Sequence, residues 1–169
     1  MTIIERLQEL DIVLPNPKAG GVYSPAVQSG KYIYVSGQLP VHDGKLLNPG
    51  KLGDNVSTEE GYAAARICAI TALGAVNTLL GSLENLRVIK SIGYVSATTD
   101  YKEHPAVVNG ASELLKDLLG DINGIGARVA FGVASLPAGS SVEFELLLEK
   151  IYCQELTLSL GHQKNICLW

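Results

Sequence analysis

The sequence predicts an α+β fold, a two-layer sandwich in which two helices cover one face of a mainly antiparallel, mixed sheet. Three observations predict it. Residues 58–80 and the stretch from Pro105 to Gly120 repeat their apolar positions at helical period, each ending at a glycine. Segments of alternating apolar residues lie before, between and after them. The resulting order of strands, helix, strand, helix and two strands is that of helices segregated to one side of a sheet.

In chain order, Ile3, Ile4, Leu7 and Leu10 stand at helical spacing ahead of the breaker-rich PNPKAGG, so residues 1–17 are expected to form an amphipathic arm, either a lid or a packing element. VYSPAVQSG and KYIYVSGQLP read as strands on either side of Gly30, and GKLLNPG as a further edge strand closed by Pro49. Ser57 with Glu60 three residues on is a capping box, and the helix it starts runs to Gly81. Alanines at 63, 64, 65, 69, 72 and 75 let that helix approach a sheet closely. RVIKSIGYVSAT reads as a strand, Pro105 suits the first turn of the second helix, and Leu114, Leu115, Leu118 and Leu119 lead to Gly120. GIGARVAFGVASLP is a strand, AGSS a turn, and SVEFELLLEKIY a last strand with Val142, Phe144, Leu146 and Leu148 on one face and Glu143, Glu145 and Glu149 on the other. The main domain spans residues 18–150, and residues 151–169 form a C-terminal extension. The uncovered face of such a sheet is expected to be covered by another subunit.

A chain of 169 residues, 47% hydrophobic and 18% charged, buries one core of ordinary size. A net charge of −4 without any cluster of Lys or Arg argues against nucleic acid as a partner. The three cysteines, Cys68, Cys153 and Cys167, lack CxxC spacing, and MTIIERLQEL lacks the apolar core of a signal peptide, so a cytoplasmic protein is expected. The most apolar window, YAAARICAITALGAVNTLLG, carries Arg66 and Asn77 and is rich in Ala and Gly, which suits a buried helix and not a membrane span.

Motifs for phosphate, zinc, a dinucleotide or a nucleophile elbow do not occur, and His42, His104 and His162 are too dispersed for metal spacing; neither metal nor cofactor is expected. The chemistry-bearing residue is Arg128, the sole charge in its strand, sharing a face with Ala130, Gly132 and Ala134. Either a helix packs closely there or the room is for a ligand. A short turn joins its strand to that of Glu143, so a hairpin could bring the two together. The plain reading is a structural ion pair. The chemical one is a guanidinium that binds a carboxylate beside a glutamate that activates water. Tyr23, Ser36 and Asn109 are ordinary taken singly, and Gly37 marks a bulge or a close approach of backbone.

Taken together, YSPAVQSGKYIYVSGQLP, the VN of HPAVVNGASELL, and GARVAFGVASLPAGSSVEFE resemble the Rid/YjgF family, also known as endoribonuclease L-PSP or translation inhibitor proteins, with a chorismate-mutase-like fold. The resemblance implies a homotrimer, its sheets around a central barrel and three clefts between neighbours. In deaminase members, the arginine at the position of Arg128 holds the carboxylate of a 2-imino or enamine acid while water hydrolyses the C=N bond. It would place Tyr23, Ser36, Gly37 and Asn109 around the cleft and Glu143 near the water. Ala130 stands where many deaminases have a cysteine, and the arm and the C-terminal extension lie outside the short family core.

Three functions follow as expectations. The first is an enamine/imine deaminase releasing ammonia from small 2-imino acids. The second is a non-catalytic trimer binding a small carboxylated metabolite. The third is the family's ribonuclease activity, which an acidic chain without stacking platforms disfavours.

Overall fold

The computed structural model describes residues 2–152 and the backbone of 154–156 and 164–166. Five strands form the main sheet: β1 (Ala26–Ser29), β2 (Tyr32–Gln38), β5 (Leu86–Ser96), β6 (Ala127–Val133) and β7 (Val142–Lys150), in the order β1-β2-β7-β5-β6. All neighbours are antiparallel except β5 and β6, which run parallel. β1 turns into β2 through Gly30 and Lys31, and Gly30 takes a φ of 58° that a tight hairpin needs and glycine supplies without strain. The GKLLNPG segment departs from expectation. Its Lys45–Leu46 (β4) pairs only with Val41–His42 (β3), because the intervening turn folds the chain back at once and the hairpin stays off the main sheet. The extension contributes a pair of short strands, β8 (Gln154–Leu156) and β9 (Lys164–Ile166); Cys153, His162 and Cys167 lie outside the described residues.

Helix α2 (Thr58–Leu80) starts on the expected capping box, Ser57 and Glu60 each bonding the other's backbone, and stops at Gly81 with φ 74°. Five of its six predicted alanines are used as expected, Ala64, Ala65, Ala69, Ala72 and Ala75 being buried together with Cys68, while Ala63 is exposed. The Cys68 thiol contacts the Val142 carbonyl oxygen at 3.7 Å, and burial pushes its pKa well up, which leaves it an unreactive core residue. Helix α3 (His104–Asn123) outlasts the expected stop. Gly120 breaks it with φ 83°, and the chain resumes for one more turn closed by Gly124 N–H to the Gly120 carbonyl. That break leaves carbonyls at the end of the first segment without helical partners. Arg6 of α1 (Ile3–Glu9) donates to two of them, those of Asp117 and Leu118, at 3.4 and 2.9 Å. The arm is thus a packing element.

Both long helices lie on the same face of the sheet. Cys68 of α2 meets Val142, and Val108 of α3 fills the space over Gly93, whose register partner is Phe144 on the face of Val142. Among the described residues nothing covers the opposite face, which exposes Val27, Tyr32, Tyr34, Val129 and Phe131, each between 36% and 49% accessible. At its far end Glu149 is buried between Lys31 and Arg87, which hold its carboxyl below the usual glutamate range. A depressed carboxyl adds stability that is complete above its unfolded pKa and lost as pH falls through the folded value. Urea unfolding below pH 4.5 is therefore expected to show stability falling with acid more steeply in the native chain than in Glu149→Gln.

Candidate functional site

The expected hairpin between β6 and β7 does not form, because β5 is inserted between them. Arg128 pairs in register with Ser91, while Glu143 pairs with Tyr94, whose other partner is Phe131. The two residues are therefore two strands and three positions apart, about 14 Å between Cα atoms, and on opposite faces of the sheet. No carboxylate lies within salt-bridge distance of Arg128 among the described residues. The structural ion pair is thereby overturned, and within one chain Arg128 and Glu143 form two separate clusters.

The first cluster stands on the helix side of edge strand β6. The Arg128 guanidinium donates to Asn109 Oδ1 at 2.7 Å and Ser112 Oγ at 3.0 Å, both on α3. Their spacing of three places them on one helix face, a signal in the N-x-x-S of the sequence that points to Ser112 as well as Asn109. These neutral acceptors orient the guanidinium without neutralising it, and Arg128 remains exposed. The small residues beside it serve mainly for packing. His104 stands over Gly132, where a Cβ would lie 2.5 Å from its Nε2, and Ala130 packs on the core. The helix that needs this room is α3, not the alanine-rich α2. A hollow of about 150 Å³ is bordered by Ser91, Ser112, Gly126 and Arg128.

The second cluster gathers at the end of β2. The register slips between Val35 and Gln38, so Gly37 does sit in a bulge, and the close approach there is also real. A Cβ on Gly37 would lie 1.9 Å from Glu143 Oε1, so the glycine makes the seat of that carboxylate. Burial raises the Glu143 pKa, and the nearby Glu145 charge adds to it. Glu145 itself accepts from the Tyr94 hydroxyl at 2.9 Å, and burial with that bond pushes the Tyr94 pKa up to about 12. Ser36 Oγ donates to the Ser24 carbonyl at 2.7 Å, and Tyr23 Oη accepts from Gly20 N–H at 3.2 Å. Tyr23 and Gly37 border a hollow of about 530 Å³ whose other walls come from the arm and the β3–β4 hairpin. Tyr94, Glu145 and the arm residues were not singled out by sequence reasoning, since only the register and the docked arm bring them here. Among the described residues, no three His, Cys, Asp or Glu side chains converge as metal ligands.

The family model described as "YjgF/chorismate_mutase-like, putative endoribonuclease" matches residues 5–149. The chain belongs to this YjgF-like family. Protein TCP17 of Trypanosoma cruzi is 39% identical over 149 residues, covering 87% of this chain and 93% of its own. The crystal structure of Atu1372 from Agrobacterium tumefaciens superposes with a TM-score of 0.82 at 40% identity, over 88% of this chain and 92% of that one. E. coli TdcF, solved with bound serine, shares the fold at 20% identity, with a TM-score of 0.58 over 79% of this chain and 92% of its own.

Proposed function

We propose that this YjgF-like protein is an enamine/imine deaminase, hydrolysing 2-imino acids to 2-oxo acids and ammonia in clefts between the subunits of a homotrimer. The observation that carries the reading is the Arg128 guanidinium, held by Asn109 and Ser112 and left without a counter-charge among the described residues. A planar cation so oriented binds a carboxylate bidentately. The serine bound to TdcF is a small carboxylated molecule on the same fold, which agrees with such a ligand. The exposed apolar face of the sheet supports assembly, because a soluble monomer rarely leaves so many aromatic and aliphatic side chains on one surface.

In this reading a trimer joins the two clusters, the Arg128 side of one copy facing the Glu143 side of the next. Arg128 with Asn109 holds the substrate carboxylate, while Tyr23, Ser36 and Gly37 line the opposite wall. The Glu143 carboxylate takes a proton from water as the water oxygen bonds to C2 of the iminium. That proton passes to the nitrogen of the carbinolamine. As the C–N bond breaks, the hydroxyl oxygen forms the C=O bond and gives its proton to the Glu143 carboxylate, releasing ammonia and the 2-oxo acid. Glu143 then returns the proton to solvent. Burial raises the Glu143 pKa, which suits a group that must both accept and return a proton. Ala130 supplies no thiol, so this chemistry runs on the carboxylate alone.

The test is ammonia release from freshly generated 2-iminopropanoate and 2-iminobutanoate. The wild type should accelerate it, and Glu143→Gln should lower kcat by a factor of about 10² or more while still binding 2-oxobutanoate. Because the base must be ionised, the wild-type rate should fall as pH drops through the Glu143 pKa, at a pH above that of an exposed glutamate. Binding of the 2-oxo acid with no acceleration of either imine would favour the second reading, a metabolite-binding trimer, which the alanine at 130 makes the natural rival.

A further inference from the structure

Arg66 is the only charged residue of α2 beyond its first turn. It is half-buried, and among the described residues no carboxylate stands within salt-bridge distance of its guanidinium. With Ile67, Ile70 and Thr71 it makes one stripe of the helix, the floor of a hollow of about 490 Å³. Residues 10–13 and Pro15 of the arm form one wall, and Val41, His42 and Asp43 of the β3–β4 hairpin the other. The arm wall is firmly built. Pro15 crosses α2 at Gly74, where a Cβ would stand 2.3 Å from the Pro15 carbonyl oxygen, and Thr78 Oγ1 donates to Asn16 Oδ1 at 3.2 Å. Leu10, Ile12 and Ile70 pack on the core behind it. This hollow lies on the helix side of the sheet, and neither Glu143 nor any residue beside Arg128 borders it.

We propose that the hollow is a second binding site, for a free α-amino acid with a branched or aromatic side chain. Its charges are of both signs. The guanidinium is half-buried, while Asp11 and Asp43 are exposed carboxylates on the two walls, Asp43 with His42 Nε2 at 3.6 Å. The rest of the lining is mainly apolar. Arg66 takes the ligand's carboxylate, the aspartates its ammonium, and Ile12, Val13, Ile67 and Ile70 its side chain. A plain carboxylate would bring its charge among the two aspartates with no cation of its own, and a plain amine would meet Arg66 uncompensated. The site stands apart from the deaminase reading, since it uses none of the residues assigned to that reaction.

The experiment is calorimetric titration of the full chain with L-phenylalanine, 3-phenylpropanoate and 2-phenylethylamine, for the wild type, Arg66→Met, Asp11→Asn and Arg128→Ala. Methionine keeps an apolar stem over α2 and removes the charge, and a melting curve verifies each fold. Phenylalanine is expected to bind the wild type and Arg128→Ala alike, with Arg66→Met weakening it about tenfold or more and each analogue about fivefold weaker in the wild type. Asp11→Asn should weaken phenylalanine without weakening 3-phenylpropanoate. Binding lost in Arg128→Ala and kept in Arg66→Met would overturn the proposal and move the ligand to the cleft. Equal affinity for 3-phenylpropanoate would overturn the amino-acid class, and no binding of phenylalanine up to about 10 mM would overturn the site.

Discussion

Arg128→Ala is expected to lower kcat/KM for 2-iminobutanoate by about 10²–10³ while leaving the melting temperature unchanged. Truncating one member of a charge pair costs about 2–5 kcal/mol of binding, most of it here on the substrate's carboxylate. The fold should not notice, because the guanidinium is exposed and the atoms it bonds, Asn109 Oδ1 and Ser112 Oγ, can turn to water. Arg128→Lys keeps the charge but loses the planar fork, and should recover only a minor part of the rate. The measurement is steady-state ammonia release beside a thermal melt. A variant with full activity would remove Arg128 from the site, and one that unfolds would return it to a structural role.

Gly110→Ala is expected to be the opposite kind of lesion, costing about 3 kcal/mol of stability through overpacking. Gly110 lies where α3 crosses α2, and a Cβ there would stand 2.0 Å from the Tyr62 carbonyl oxygen. The obstacle is helix backbone, which cannot swing aside as a side chain does. The two helices must separate and loosen Val107, Val108 and Ala111, all fully buried. A fall of about 10 °C in melting temperature is expected for a domain of this size. Gly37→Ala makes a useful contrast, because its new Cβ would meet a flexible carboxylate, so it should displace Glu143 and spare the fold.

Much of the fold is legible without coordinates because its signals are local. Ser57 and Glu60 cap α2 through contacts three residues apart, and Gly81 ends it through its own φ. The alternation from Val142 to Leu148 marks the buried face of β7, and it is buried as expected. α3 runs past Gly120 because the glycine breaks the helical dihedrals for one residue only, with Arg6 from the distant arm bonding the carbonyls at that end. That partner lies more than a hundred residues away in the chain, beyond the reach of periodicity.

The candidate site divides along the same line. Arg128 and Glu143 stand out by residue type and pattern, Asn109 and Gly37 only through the resemblance to the family, and their chemistry does not depend on where the strands go. Their grouping does. Adjacent strands in sequence were expected to form a hairpin, but β5 lies between β6 and β7, since parallel pairing of β5 with β6 lets α3 cross over the sheet between them. That single topological choice parts Arg128 from Glu143 and puts Glu143 beside Gly37. The sequence by itself determined the α+β class, the helices and the family, because caps, periods and motifs act over a few residues. Tertiary structure alone decided the strand order, the docking of the arm on α2 and α3, and the close-packed use of Ala130 and Gly132, because each depends on contacts between segments far apart in the chain.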